Sequence, residues 1–462
     1  MRYIDCALNG PAGSNLSYFF LGDQYVVFDW AKDKAVIGAR SIAQEWTLPF
    51  LGPIQVQAAL SAHEAGVATS AKYSYFFKDL QYARYEWASP PPRPSGGITS
   101  INAWHIPSPP FSRVDAALNG KVGRKGKTYF FYMGEFVEYD WASDTCSAAA
   151  PLTNLVPGLS AQFAGGFDAA LNGQGLYADY AYLFKDGDYL KLKWPASAGG
   201  LITVVDQRPI VGNWTGVVEL LLAGQAKTKV FEWLWSVIPQ VVAYRGAVAL
   251  GLPYLDAPLM QSALVTHFRL LDPEDLVRID FILTRLQAIE QKLHNAPDIY
   301  ASATDEELKQ AERVVYKRDA TDKIILDANG KKMEVLGPDG RVQPDCAAYT
   351  SFGGRTVFTR AYPTKGVACR VAQIIHEMGH YLDNQADQYR DVPEWYVSLP
   401  TGTLLGIPFQ DDSNIISRYD EMDQDVAIHN PSSYAAFLAH VRYRQDVRYG
   451  ELVQNPVPGL VF

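Results

Sequence analysis

Cysteine is scarce in this chain: Cys6, Cys146, Cys346 and Cys369 are the four present in 462 residues. That is too few for a disulfide scaffold, and the spacing fits no zinc finger, so free buried thiols are expected. Long apolar runs are missing as well. The most hydrophobic stretch, Val230 to Leu255, is interrupted by Glu232, Pro239 and Arg245. No uncharged run therefore reaches the roughly 18 residues that cross a bilayer, and the stretch reads as buried core helices with no transmembrane segment. Positive charge is in deficit, with 41 Lys and Arg against 50 Asp and Glu and a formal net charge of -9. A phosphate backbone is accordingly excluded as the main partner, and no nucleic acid is expected. The start, Met1-Arg2-Tyr3-Ile4-Asp5-Cys6, lacks a basic stretch followed by an apolar one. The expectation is secretion by a non-classical route or delivery as an effector, with retention in the producing cell as the rival.

What the first half does have is repetition. Asp5-Cys6-Ala7-Leu8-Asn9-Gly10 returns as Gln57-Ala58-Ala59-Leu60, as Asp115-Ala116-Ala117-Leu118-Asn119-Gly120 and as Asp168-Ala169-Ala170-Leu171-Asn172-Gly173. A period of this length signals a repeat architecture. Each start leads into an aromatic strand, a tight turn and a second strand ending in tryptophan: Tyr18 to Trp30, Tyr75 to Trp87, Tyr129 to Trp141 and Tyr182 to Trp194. Aromatic residues around Gly/Asp turns are hairpin chemistry, and Trp30, Trp87, Trp141 and Trp194 are expected in the core. Sheets of this kind can protect their edges by packing around one axis.

These segments resemble hemopexin repeats, in which an Asp-Ala-Ala start forms the inner strand and an aromatic-Gly-x-x-Tyr hairpin follows. The resemblance implies an all-β four-bladed propeller over residues 1–205 that serves as a docking surface for a partner, a host-cell or surface ligand, or a substrate. The second repeat departs from the pattern, with Gln57 in place of Asp and Asp79-Leu80 in the turn. Residues 206–220 are expected to be a linker, and 221–462 a second domain.

Periodicity turns helical in that second part. Leu264, Phe268 and Leu271, then Leu276, Ile279, Ile282, Leu283, Leu286, Ile289 and Leu293 recur at three- and four-residue steps, with Asp272-Pro273-Glu274-Asp275 as the helix start. A further helix is expected from Thr304 to Tyr316, and short strands around Lys323 to Leu326 and Arg355 to Tyr362.

His376-Glu377-Met378-Gly379-His380 is the most informative stretch. On a helix, histidines four apart share one face and can reach one ion, while the intervening glutamate projects beside it. Neutral imidazoles suit Zn2+, and the carboxylate can take a proton from water at the metal. Val371, Ile374, Ile375, Met378 and Leu382 form the apolar stripe that would bury this helix, and Thr356-Val357-Phe358-Thr359 reads as an edge strand able to pair with a peptide. A third ligand is needed, and the downstream carboxylates supply the candidates, among them Asp383, Asp411, Asp412, Glu421, Asp423 and Asp425.

His429-Asn430-Pro431-Ser432-Ser433-Tyr434-Ala435-Ala436-Phe437 resembles a signature of deuterolysin-like metallopeptidases, the aspzincins, which combine His-Glu-x-x-His with an aspartate ligand. The resemblance implies an α+β, mainly helical zincin domain, with Zn2+ held by His376, His380 and Asp387, Glu377 as general base, and Tyr389 stabilising the oxyanion. Asp411, Asp412, Glu421 and Asp425 remain as rival third ligands. Tyr419 is the rival tyrosine, because Ser413 to Tyr419 resembles a stretch of the lethal-factor-like zincins; where those place a glutamate ligand this chain has Ser433. The expected whole is a multidomain zinc metalloendopeptidase acting on a protein or peptide, in the manner of a bacterial toxin or effector. Its rival is a non-catalytic binding protein carrying a degenerate zincin domain.

Overall fold

A computed structural model describes residues 2–50, 55–67, 70–87, 93–296, 300–319, 321, 323–350, 355–385, 403–404, 407–408, 423–447 and 452. The chain divides into two compact units, Met1–Leu221 and Leu222–Phe462.

The first unit is all-β, built of four antiparallel sheets in sequence order. The first holds β1 (Cys6–Asn9), β2 (Leu16–Leu21), β3 (Gln24–Asp29) and β4 (Lys34–Ser41), followed by the short helix α1 (Ile42–Glu45). The second holds β5 (Ala58–Ser61), β6 (Tyr73–Lys78), β7 (Gln81–Glu86), β8 (Arg93–Pro94) and β9 (Thr99–Ser100). The third holds β10 (Ala116–Asn119), β11 (Lys127–Tyr132), β12 (Glu135–Asp140), β13 (Thr145–Cys146) and β14 (Ala150–Pro151), with α2 (Leu152–Leu155) and α3 (Ala161–Ala164) after it. The fourth holds β15 (Ala169–Asn172), β16 (Tyr180–Lys185), β17 (Asp188–Lys193) and β18 (Thr203–Pro209).

Each aromatic strand turns into the next through two residues, and the first of the two is left-handed: Gly22 (φ 61°), Asp79 (φ 53°), Met133 (φ 45°) and Asp186 (φ 52°). Such turns match the twist of a hairpin. The residue that opens each repeat holds the turn of its own sheet. Asp5, Asp115 and Asp168 accept the backbone N–H of Gly22 (2.7 Å), Met133 (3.1 Å) and Asp186 (2.8 Å). Gln57 does the same work in the departing second repeat, accepting from Asp79 N at 2.6 Å and donating Nε2 to the Asp79 carboxylate at 3.1 Å. The amide side chain thus stands in for the carboxylate, holding the turn as acceptor and as donor.

Each of the four opening strands neighbours two of the others, and their last residues close a ring. Asn9 Nδ2 donates to Asn172 O at 2.9 Å, Asn172 Nδ2 to Asn119 O at 2.9 Å, and Asn119 Nδ2 to Ser61 O at 2.8 Å. Ser61 Oγ donates to Asn9 O and completes the circuit. The strand-ending tryptophans reach back to the same layer: Trp30, Trp87 and Trp141 donate Nε1 to Ser17, Ser74 and Thr128, and Trp194 to Asn172 Oδ1. Of these four only Trp194 is fully buried; the other three are half-buried, and the deep positions fall to Trp46, Trp104 and Trp214. The core expectation holds for Trp194, while Trp87 and Trp141 pack half-buried against their core clusters and Trp46, Trp104 and Trp214 lie deeper. Trp214 packs on Phe19, Phe28, Phe184 and Tyr182. The span 206–220, expected to be a linker, thus contains the end of β18 and a core tryptophan of the first unit.

The second unit is mainly helical. Its helices are α4 (Val217–Leu250), α5 (Ala257–Phe268), α6 (Leu276–Asn295), α7 (Asp305–Gln310), α8 (Val367–Gln385), α9 (Gln424–Ala427) and α10 (Pro431–Tyr443), of which α4 begins before the division between the units. A three-stranded sheet runs in the order β19 (Tyr300–Ser302), β21 (Thr356–Phe358), β20 (Ala348–Thr350). The stretch expected as core helices is one helix with Pro239 inside it, and Trp235 and Leu250 are exposed on it. No helix among the described residues is long and apolar enough to cross a membrane. Leu271, read as part of a helical stripe, is exposed between α5 and α6. Asp275 caps α6 through Val277 N and Arg278 N, and Ile279, Ile282, Leu286, Ile289 and Leu293 are its buried face. A capping box of Thr304 and Glu307 starts α7. That helix ends at Gln310 rather than Tyr316, because Val314, Tyr316 and Arg318 enter a ladder of antiparallel bridges with Pro344, Glu334 and Ile324. All four cysteines are free.

Candidate metal centre

The His376-Glu377-Met378-Gly379-His380 stretch lies in the middle of α8. Val371, Ile374, Ile375 and Met378 recur along that helix and are fully buried, which fixes which way its other face points. Helix α10 packs against α8, and it is set there by its own start: Asn430 accepts Ser432 N at 3.1 Å as N-cap, and Pro431 occupies the first turn. Contact is closest at Gly379, where a Cβ would stand 2.7 Å from Pro431 Cβ and 3.0 Å from its Cα. The glycine of the motif is therefore what admits α10.

His376 and His380 converge. Their Nε2 atoms are 2.9 Å apart and their rings stand at 82° with centroids 4.5 Å apart. Two nitrogens about 2.0 to 2.1 Å from one ion stand at roughly this separation when the angle at the ion is about 90°. His376 is buried, His380 half-buried, and Ser432 Oγ lies 3.1 Å from His376 Nδ1. A proton on Nδ1 shared with that hydroxyl leaves the Nε2 lone pair facing His380, the arrangement a ligand histidine needs. Burial, and then His380, holds the His376 imidazole well below its ordinary pKa, so it stays neutral. Glu377 is buried at 6% exposure beside them, and Thr350 on β20 donates its hydroxyl to Glu377 Oε2 at 2.7 Å, within 3.0 Å of Glu377 O as well. Two imidazoles converging from one helix face, one of them oriented by an Nδ1 partner, are ligands of the kind Zn2+ takes, and the buried Glu377 carboxylate stands beside them without being one of them.

The strand beside the site differs from expectation. β21, read as an edge, lies at the centre of its sheet, parallel to β19 and antiparallel to β20. The strand next to α8 that reaches Glu377 is β20, so among the described residues β20 and β19 are the edges. Burial of Thr356, Val357 and Phe358 explains the central position. Of the third-ligand candidates, Asp387, Asp411, Asp412 and Glu421 lie outside the described residues, as do Tyr389, Tyr419 and the side chain of Asp383. Asp425 is described and is engaged elsewhere: its side chain is 82% exposed and takes Arg278 Nη1 at 2.9 Å. Asp423 caps α9 through Val426 N at 2.8 Å. Ser433 is fully buried, and its hydroxyl has no hydrogen-bond partner among the described residues.

Thr350 and Ser432 were given no role from the sequence. Ser432 had a signal, since Asn430-Pro431 announces a helix start and places the next residue in its first turn. Thr350 had none, because 27 residues separate it from Glu377 and only the sheet brings them together.

No protein-family model matches the chain, and no curated protein is similar to it. Solved structures similar to its N-terminal part include a hemopexin fold protein, CP4, from cow pea, with 20% identity over 46% of this chain and 96% of that one, at a TM-score of 0.40. A plant lectin with two metal binding sites from Cicer arietinum has 20% identity over 46% of this chain and 96% of that one, TM-score 0.39. The seed albumin LS24 from Lathyrus sativus has 21% identity over 46% and 94%, TM-score 0.38.

Proposed function

We propose that the chain is a zinc-dependent metalloendopeptidase whose helical unit hydrolyses peptide bonds, and whose first unit is a hemopexin-like four-bladed propeller that docks a partner or substrate. The observation that carries the first part is the convergence of His376 and His380 Nε2 at 2.9 Å with buried Glu377 between them in sequence. The propeller reading is supported by the ring of hydrogen bonds from Asn9, Asn172, Asn119 and Ser61 that joins the four opening strands.

His376 and His380 would hold the ion, with Ser432 keeping the His376 ring in its ligand orientation. An ion held there would supply Lewis acidity, lowering the pKa of water and polarising a peptide carbonyl. Glu377 takes the proton from the attacking water and returns it to the leaving amine. Thr350 orients that carboxylate through its bond to Oε2. The β20 edge offers backbone groups with which an extended peptide can pair.

The test is zinc content together with cleavage of a broad peptide library, for wild type and Glu377→Gln. About one zinc at this centre in both proteins, with cleavage lost by a factor of about 10^2 to 10^4 in the variant, is the expected result. Zinc without cleavage in the wild type would leave a binding module. Equal cleavage in both would remove Glu377 from the chemistry.

A further inference from the structure

We propose that His267, His440 and Asp446 form a second site for a divalent transition metal of the zinc class, built between α5 and α10 and separate from the pair on α8. One nitrogen of each histidine and one carboxylate oxygen lie within 4.8 Å of one another. His267 Nε2 and His440 Nδ1 are 3.0 Å apart, with their rings perpendicular, and His440 Nδ1 is 3.8 Å from Asp446 Oδ1. Donors at about 2.0 to 2.2 Å from a tetrahedral ion stand about 3.3 to 3.5 Å from one another, a value these two separations bracket.

The fold brings the three together by specific devices. Contacts between α5 and α10 run in opposite chain directions: Phe268 meets Tyr434 and Phe437, His267 meets His440, and Asp256 takes Arg444 Nη2 at 2.7 Å. Arg444 is left-handed at φ 57°, which ends α10 and turns the chain back so that Asp446 returns beside His440. The Asp256 bridge holds that turn from the far end of α5. Both histidines are buried, at 0% and 4% exposure. Burial disfavours a charged imidazole, and the neutral form is the one that ligates. The Asp446 side chain is half exposed, so it supplies the negative charge, gives an ion a way in, and leaves a fourth position to water.

The two sites share α10. Ser432 serves His376 at its start, and His440 lies eight residues on, about 12 Å along the helix axis. An ion at the second site therefore ties α5 to the helix that orients the first site, as a structural centre. The inference does not depend on the activity proposed above.

The experiment is a metal count on the full chain, stripped with a chelator and re-equilibrated with Zn2+, together with competition against a chromophoric zinc chelator. The expected result is one zinc fewer per chain in His440→Gln than in wild type. Asp446→Asn, at a half-exposed position where folding is spared, is expected to weaken one class of sites by about tenfold or more. His380→Gln is the companion: it should remove the other zinc and leave the Asp446-sensitive one in place. An unchanged zinc count in His440→Gln and unchanged affinity in Asp446→Asn would overturn the proposal and leave a histidine–histidine hydrogen bond beside a surface carboxylate. Failure of His380→Gln alone to change the count would instead count against the α8 centre.

Discussion

Thr350 and Glu377 are 27 residues apart, yet the hydroxyl of one holds the carboxylate of the other at 2.7 Å. A hydrogen bond to a charged group is worth about 1.5 to 3 kcal/mol. Thr350→Val, which keeps the shape and removes the donor, is therefore expected to lower kcat by roughly 10- to 100-fold with zinc content unchanged; steady-state kinetics with a metal count checks it. His429 offers a test at the same scale that involves no metal. Burial, then Arg285, pushes its imidazole down to about 4 against the opposing pull of Asp425. The unfolded chain takes up that proton near the usual value of about 6.5. Its contribution to stability is thus full above about pH 6.5, falls between there and pH 4, and is lost below. Urea midpoints measured from pH 7 to pH 4 should decline, and His429→Gln should flatten the decline.

Among the elements, α8 and α10 carry the site, and Gly379 is where they meet. In an isolated helix alanine is favoured over glycine by about 1 kcal/mol. Here the added Cβ would stand 2.7 Å from Pro431 Cβ, against a ring and backbone that cannot swing aside. Overpacking of this kind costs about 1 to 3 kcal/mol, so Gly379→Ala is expected to be destabilising on balance, with a lower thermal midpoint. Because the shift moves Ser432 away from His376, weaker zinc binding should accompany it. That the two histidines share one face of a helix was legible before any fold was known. The reason for its glycine was not, since it depends on a helix that begins more than fifty residues later. The strand order was equally illegible: Thr356–Phe358 has the composition of any short strand, and its place between β19 and β20 follows from burial on all sides.

For the molecule as a whole, the ring at the ends of the four opening strands is the feature to break. Asn119 donates to Ser61 O and accepts from Thr128 Oγ1, both at full burial. Asn119→Ala strands those partners, at a cost of about 1 to 3 kcal/mol. In urea unfolding of the full chain, the tryptophan-rich first unit should move to a lower midpoint while the loss of helical signal from the second stays where it is. The sequence by itself determined the repeats, their hairpins, the change to helical periodicity and the His-Glu-x-x-His face, because each is written in spacings of a few residues that local geometry turns into structure. The tertiary structure alone decided that Gln57 can replace an aspartate, which tryptophans are core, which strand reaches Glu377, and that His267 meets His440. Those outcomes depend on packing between segments far apart in the chain, where distance in sequence carries no information about distance in space.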